Sequence, residues 1–143
     1  GWYDTFLPLI VPAFFGAPFF IFLLRQYYMT VPHEMDEAAR IDGASTFHVF
    51  WRVVLPQSKP ALVTVALFSF MTHWNDFLGP LIYLSTPARR TLALGLYAFQ
   101  GQYATDWNYL MAASTVVMLP PLVLFFIGQK YFVQGVVISG LKG

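Results

Sequence analysis

The chain has 143 residues, of which 57% are hydrophobic, 19% aromatic and only 10% charged, with a net charge of +1. A soluble domain carries about 25% charged residues, so this composition excludes an ordinary water-exposed surface and points to a membrane as solvent. The small net charge and scattered Lys and Arg exclude a nucleic-acid partner, and the absence of cysteine excludes disulfides and thiolate metal sites.

The chain begins at Gly1, and its opening GWYDTFLP has neither the basic region nor the small-residue cleavage site of a signal peptide. A piece whose N-terminal part is missing is expected. Three apolar runs follow, at 6–28, 61–84 and 109–132. Each has about the 20 residues that carry a helix across ~30 Å of hydrocarbon. Prolines lie in or near all three, which neighbouring helices and local backbone adjustment tolerate in a membrane. Three crossings put the connection 29–60 and the tail 133–143 on one side of the membrane and the loop 85–108 on the other. Arg25, Arg40, Arg52, Lys59, Lys130 and Lys142 lie on or border the first side, and only Arg89 and Arg90 lie on the second. Positive charge is retained on the cytoplasmic side, so the connection and the C-terminus are expected there. Trp2, Tyr28, Tyr83, Trp107 and Tyr131 fall near span ends, as an aromatic belt requires.

The connection 29–60 concentrates the charge. Four carboxylates, Glu34, Asp36, Glu37 and Asp42, fall within one short stretch. Pro32 suits the first turn of a helix, with acidic residues following near its positive end. Gly43 is a natural stop able to take positive φ, and Ser45 or Thr46 can cap a second helix. In that helix Phe47, Phe50, Trp51 and Val54 recur at helical spacing as one apolar face, and Pro56 is expected to end it. A helix lying on lipid explains the apolar face. It does not explain the small residues Ala38, Ala39, Gly43 and Ala44 at the bend, which let another surface approach closely. A docking knob for a cytoplasmic protein explains both.

In the second run, His73, Trp74, Asn75 and Asp76 interrupt the apolar pattern. Polar groups at that depth face a cavity or the bundle interior. Trp74, Asn75 and Asp76 suit a pathway for a sugar, with an aromatic face to stack on a ring and polar groups to bind hydroxyls. An interhelical hydrogen-bond network without a ligand is the alternative.

The stretch EAARIDGASTFHVFWRVVLP resembles the EAA loop of the inner-membrane permeases of ABC importers. That pattern is read at Glu37-Ala38-Ala39, Gly43, Val53 and Leu55-Pro56, with the spacing unbroken and valine at 53 in place of the commoner isoleucine. The segments FLLRQYYMTVPHEMDEAARIDGAS, THWNDFLGPLIYL and QKYFVQGVVISGLKG resemble the carbohydrate, maltose-permease-like type. The resemblance implies an all-α membrane protein: three transmembrane helices with a cytoplasmic helix–turn–helix loop, forming the C-terminal half of a permease of roughly six spans. It implies a bacterial or archaeal cytoplasmic membrane and a permease subunit of an ATP-driven importer, for a sugar or related carbohydrate. Implied partners are cytoplasmic ATPase subunits, a second permease subunit, an extracytoplasmic solute-binding protein and membrane lipid. Glu37, Ala38, Ala39, Asp42, Gly43, Leu55 and Pro56 would couple to the ATPase. In the tail, Gln134, Gly135 and Lys142 would reach the same partner.

No catalytic residue and no metal site are expected in this chain. His33, His48 and His73 have no HExxH spacing, and neither GxSxG nor a Gly-rich phosphate loop is present. The chain is therefore expected not to be an enzyme and to bind no cofactor, with ATP and Mg used by the partner ATPase. Two alternatives stay open: an importer for a non-sugar solute, and a non-transport membrane protein with a lipid-surface loop.

Overall fold

The computed structural model describes residues 1–100 and 106–140, with 131–140 by backbone alone. Every regular element among the described residues is helical. The stretches Leu7–Tyr28 and Trp107–Lys130 are long and apolar enough to cross a membrane, and the bent pair Thr46–Gln57 and Lys59–Trp74 brings the number to as many as three. Two compact units are distinguished: Gly1–Gly16 with Phe68–Ile127, and Ala17–Leu67 with the chain from Gly128 on.

In the first unit the short helix Leu7–Ile10 is followed by a 3₁₀ turn, Pro12–Phe15, that stops at Gly16 with φ 79°. The first apolar run is thus broken, because Pro12 and Pro18 each open a new helical segment and Gly16 supplies the left-handed step between them. The second run is broken as well. Helix Lys59–Trp74 has 16 residues, about 24 Å at ~1.5 Å each, short of the ~30 Å core. Asn75 ends it by donating from Nδ2 to the Met71 carbonyl at 2.8 Å. Helix Leu78–Tyr83 then begins anew, with the Gly79 N–H donating to Asp76 Oδ1 at 3.2 Å. Short polar side chains competing for backbone groups in this way are a common cause of helix breaks.

Asp4 ties the segment before the first run to the segment after Tyr83. It is the one non-glycine residue with positive φ, 55°, among those described. Its N–H donates to the Tyr83 carbonyl at 2.9 Å. Its carboxylate accepts from the Ser85 and Thr86 N–H groups, both at 3.0 Å, and from the Thr86 hydroxyl at 2.6 Å. Arg89 adds an ion pair at 3.3 Å and a hydrogen bond to the Asp4 carbonyl. These donors, the Thr86 hydroxyl foremost, hold the Asp4 carboxyl at about 2, below its ordinary 3.8. The depressed value means that the stabilisation is complete above pH 3.8 and is lost as pH falls toward about 2. Asp4→Ala is expected to lower the melting temperature of the purified protein in detergent more than Asp4→Asn. Asparagine keeps one acceptor oxygen and tolerates positive φ. Equal melting temperatures for the two variants would remove Asp4 as the organiser of this knot.

In the second unit, Pro18–Tyr28 is followed by a tight turn in which the Thr30 hydroxyl donates to the Tyr27 carbonyl at 2.7 Å. Pro32 takes the N-cap position of helix His33–Ile41, with extended backbone rather than a place in the first turn. Glu34 and Asp36 occupy the first turn and Arg40 the last, matching the helix dipole at both ends. The Arg40–Asp36 pair, 3.4 Å apart, is exposed and adds little stability.

The helix Thr46–Gln57 does not end at Pro56, contrary to the expectation from sequence. A π turn over Phe50–Val54 inserts an extra residue, with the Leu55 N–H donating to the Phe50 carbonyl. The wider turn carries the helix past the proline, whose missing N–H would otherwise interrupt the ladder. The chain then bends by 70° into Lys59–Trp74. Ser58, fully buried at the bend, donates from its hydroxyl to the Val54 carbonyl at 2.7 Å. Tyr27 Oη donates to the Gln57 carbonyl at 2.7 Å. Further along, helix Lys59–Trp74 and helix Trp107–Gly140 meet at Gly128, where an added Cβ would overlap Leu67 Cδ1.

Candidate functional site

The loop between Met29 and Pro60 presents a small, exposed bend. Helix His33–Ile41 closes with the Gly43 N–H donating to Arg40 and the Ala44 N–H donating to Ala39, both at 3.0 Å. This pair of bonds requires a left-handed residue, and Gly43 supplies it at φ 81°. Ser45 caps the next helix, its Oγ accepting from the His48 N–H at 3.3 Å. A Cβ placed on Gly43 would meet nothing within 4 Å. The glycine therefore serves backbone conformation within this chain, and the space over it is free for another surface.

Around the bend Glu37, Ala38 and Asp42 are exposed, while Ala39 is half-buried. Glu37 makes no ion pair among the described residues. Among the described residues the Asp42 side chain has no hydrogen-bond partner, and backbone groups close the turn. Leu55 is half-buried and Pro56 exposed, at the far end of the second helix and about three turns from Gly43.

The aromatic face points outward. Phe47 and Trp51 pack edge-to-face with centroids 6.1 Å apart, and Trp51 is 54% exposed. Ile41, at the bend itself, is 85% exposed. Val49 is the buried residue of this helix. Ile41 escapes a reading based on helical spacing, because one apolar residue at the end of a polar helix forms no stripe. Its signal is its place next to the Asp42-Gly43 stop.

The polar stretch of the first unit divides into two roles. Trp74 stacks on Phe70, centroids 5.1 Å apart, and donates from Nε1 to the Val117 carbonyl at 3.2 Å. Asn75 is committed to Met71. Asp76 holds the Gly79 N–H with one oxygen. With His73 it lines a cavity of about 410 Å³. His73 belongs to the polar stretch expected from sequence to face a cavity, and it lines this one beside Asp76. Of the tail residues, Gln134 and Gly135 fall inside helix Trp107–Gly140, and Lys142 lies outside the described residues. Among the described residues no cluster of three or more His, Asp or Glu side chains suits a metal ion.

Helical spans, an all-helical architecture and a knob with exposed small and apolar residues define an integral, multi-pass membrane component. The chain belongs to the family of binding-protein-dependent transport system inner membrane components, whose model matches residues 1–138. It is 41% identical to the sn-glycerol-3-phosphate transport system permease protein UgpE of Pectobacterium atrosepticum, over 95% of this chain and 49% of that protein. With the arabinooligosaccharides transport system permease protein AraQ of Halalkalibacterium halodurans it shares 35% identity, over 98% of this chain and 50% of the relative. A solved bacterial ABC transporter that imports the acidic polysaccharide alginate matches with a TM-score of 0.64 and 26% identity, covering 80% of this chain and 46% of that one. The chain thus spans about half the length of the curated relatives it matches.

Proposed function

We propose that this chain is part of the permease subunit of an ATP-driven importer for a carbohydrate or closely related polyol. Its exposed bend would transmit ATP-driven motion from a cytoplasmic ATPase to the spans. The observation that supports this most is the Gly43 bend, left-handed and open above its Cα, in a chain of the importer family. Exposed Ile41, Phe47 and Trp51 beside small residues suit a cleft on a protein partner, because apolar side chains anchor such contacts and small ones allow close approach. In this reading Glu37, Ala38, Ala39, Asp42 and Gly43 form the knob. Leu55 and Pro56 set how the knob joins the next span, through the π turn and the bend at Ser58. Gln134, Gly135 and Lys142 belong to the same cytoplasmic face, with the C-terminus.

ATP and Mg are used by the ATPase, and this chain contributes no catalytic group. A second permease subunit completes the pathway, and an extracytoplasmic binding protein delivers solute. AraQ and the alginate importer support a saccharide; the likeness to UgpE keeps a phosphorylated polyol as the second reading. Reconstitution of the full-length subunit with its partner subunits and binding protein into proteoliposomes tests the proposal. ATP-dependent uptake of a labelled neutral oligosaccharide is expected. Uptake of none of a panel of oligosaccharides and sn-glycerol 3-phosphate, with ATP hydrolysis indifferent to solute, would overturn it.

A further inference from the structure

The cavity of the first unit has a chemical bias. Its apolar side is built by Phe6, Leu9 and Phe14, and its polar side by His73, Asp76 and Thr91. At about 410 Å³ it falls within the ~300–1,000 Å³ range of small-molecule sites.

Two of its polar side chains are half-committed. His73 Nδ1 lies 2.7 Å from the Ser69 carbonyl. A carbonyl can only accept, so Nδ1 carries the hydrogen and Nε2 has no protein partner among the described residues. Asp76 Oδ1 accepts from the Gly79 N–H, while Oδ2 has no donor among the described residues. Gly79 is what admits this carboxylate, since a Cβ there would lie 2.6 Å from Oδ2 and 2.9 Å from Leu9 Cδ2. Backbone bonds fix each ring or carboxylate at one end and leave the other end for a ligand. Among the described residues, no Lys or Arg side chain lines the cavity.

We infer that this cavity receives uncharged polyhydroxylated solutes and disfavours anionic ones, with His73 and Asp76 as its specificity-determining pair. The inference rests on the importer reading above and narrows its solute class. A sugar hydroxyl both donates and accepts. One hydroxyl can give its hydrogen to Asp76 Oδ2 and another to His73 Nε2, which accepts because Nδ1 holds the ring hydrogen, while Phe6 or Phe14 offers an apolar wall to the ring. A phosphate or uronate would instead face an unpartnered carboxylate with no compensating Lys or Arg, which is unfavourable at low dielectric. The set therefore separates this chain's expected solutes from those in the names of two proteins it resembles, the sn-glycerol-3-phosphate permease and the alginate importer. Trp74 and Asn75, tied to backbone carbonyls, act as positioning residues that hold the end of the helix in place.

The 143 residues contain no cysteine, which permits a direct test. In a cysteine-free full-length subunit assembled with its partners, Ala13→Cys, on the cavity wall, is treated with cationic and anionic methanethiosulfonates of similar size. The cationic reagent is expected to react roughly tenfold faster, the factor for one charge interaction of ~1.4 kcal/mol. Asp76→Asn keeps an acceptor for Gly79 and is expected to bring the ratio close to that of a free thiol. A transported neutral oligosaccharide at saturation should slow labelling, and sn-glycerol 3-phosphate should not. An unreactive thiol in the Ala13→Cys variant, or a reagent ratio unchanged by Asp76→Asn, overturns the assignment. ATP-dependent uptake measured on the same proteoliposomes keeps that outcome distinct from failure of the importer reading.

Discussion

Gly43→Asp is expected to leave the loop folded and to abolish coupling. Two features of the bend make this substitution informative. Gly43 has φ 81°, a conformation that costs most L-residues about 1–2 kcal/mol, but aspartate and asparagine enter it more readily than other side chains. A Cβ at this position meets nothing within 4 Å in this chain, so no internal overlap arises. The damage, if the bend is a docking surface, falls on the partner: a charged side chain stands where a close approach is needed. Removing a central anchor contact costs about 2 kcal/mol or more, equivalent to about a thirtyfold loss of affinity. Co-purification of the full-length subunit with its ATPase from membranes is expected to fall accordingly, and solute-stimulated ATP hydrolysis to disappear. Gly43→Asn, uncharged and equally tolerant of the turn, separates charge from bulk. Limited proteolysis of the loop reports whether the bend survives. Normal uptake by Gly43→Asp with an intact loop would remove the bend from the coupling path and return Phe47 and Trp51 to a lipid-surface role.

The loop was legible in the sequence because its determinants are local. Gly43 and Ser45 act within a few residues of themselves, through a left-handed stop and a side-chain cap. Acidic residues near the start of helix His33–Ile41 and Arg40 near its end follow the same short-range logic. The π turn over Phe50–Val54 was not legible: a pattern read at 3.6 residues per turn assumes the bonding that the π turn replaces, and Pro56 taken alone signals a stop. The break after Trp74 was half legible. Asn75 and Asp76 marked a polar interruption, but the backbone groups that their side chains bind to end one helix and start the next were not encoded in the spacing. The lining of the cavity was not legible for a similar reason. His73 joins Asp76 there through residues near the chain start, Phe6, Leu9 and Phe14, and no local spacing encodes that meeting. Asp4 is the extreme case, with partners more than eighty positions away at Ser85, Thr86 and Arg89. Its sequence neighbours give no sign of that role.

Gly128→Val is expected to weaken the packing of helices Lys59–Trp74 and Trp107–Gly140, and Leu67→Ala to repair part of it. Glycine inside an apolar helix carries a conformational cost of about 1 kcal/mol against alanine, so its presence in helix Trp107–Gly140 calls for a packing reason. That reason is Leu67: an added Cβ would overlap its Cδ1, with Cδ2 and Cγ both at 3.3 Å. In a membrane the hydrophobic effect does not drive helices together, so close van der Waals approach at small residues supplies much of their association. Valine adds a branched side chain where a single methyl already requires the Leu67 side chain to move. Overpacking of this kind costs about 1–3 kcal/mol, before the loss of helix contact is counted. The expected result is a sharp drop in the amount of monodisperse full-length protein recovered in detergent, together with a lower melting temperature. Leu67→Ala in the same chain removes the overlapping atoms and should restore much of that recovery. Alone, Leu67→Ala should cost less than Gly128→Val, because the end of a half-exposed side chain is deleted rather than forced aside. If the double variant were no better than Gly128→Val, the glycine would be needed for its backbone or for a partner outside these helices. If Gly128→Val were recovered normally, the Leu67 contact would not hold the two helices together. The rescue is the decisive arm, since two independent destabilising changes would add and lower recovery further, whereas relief of a shared overlap raises it.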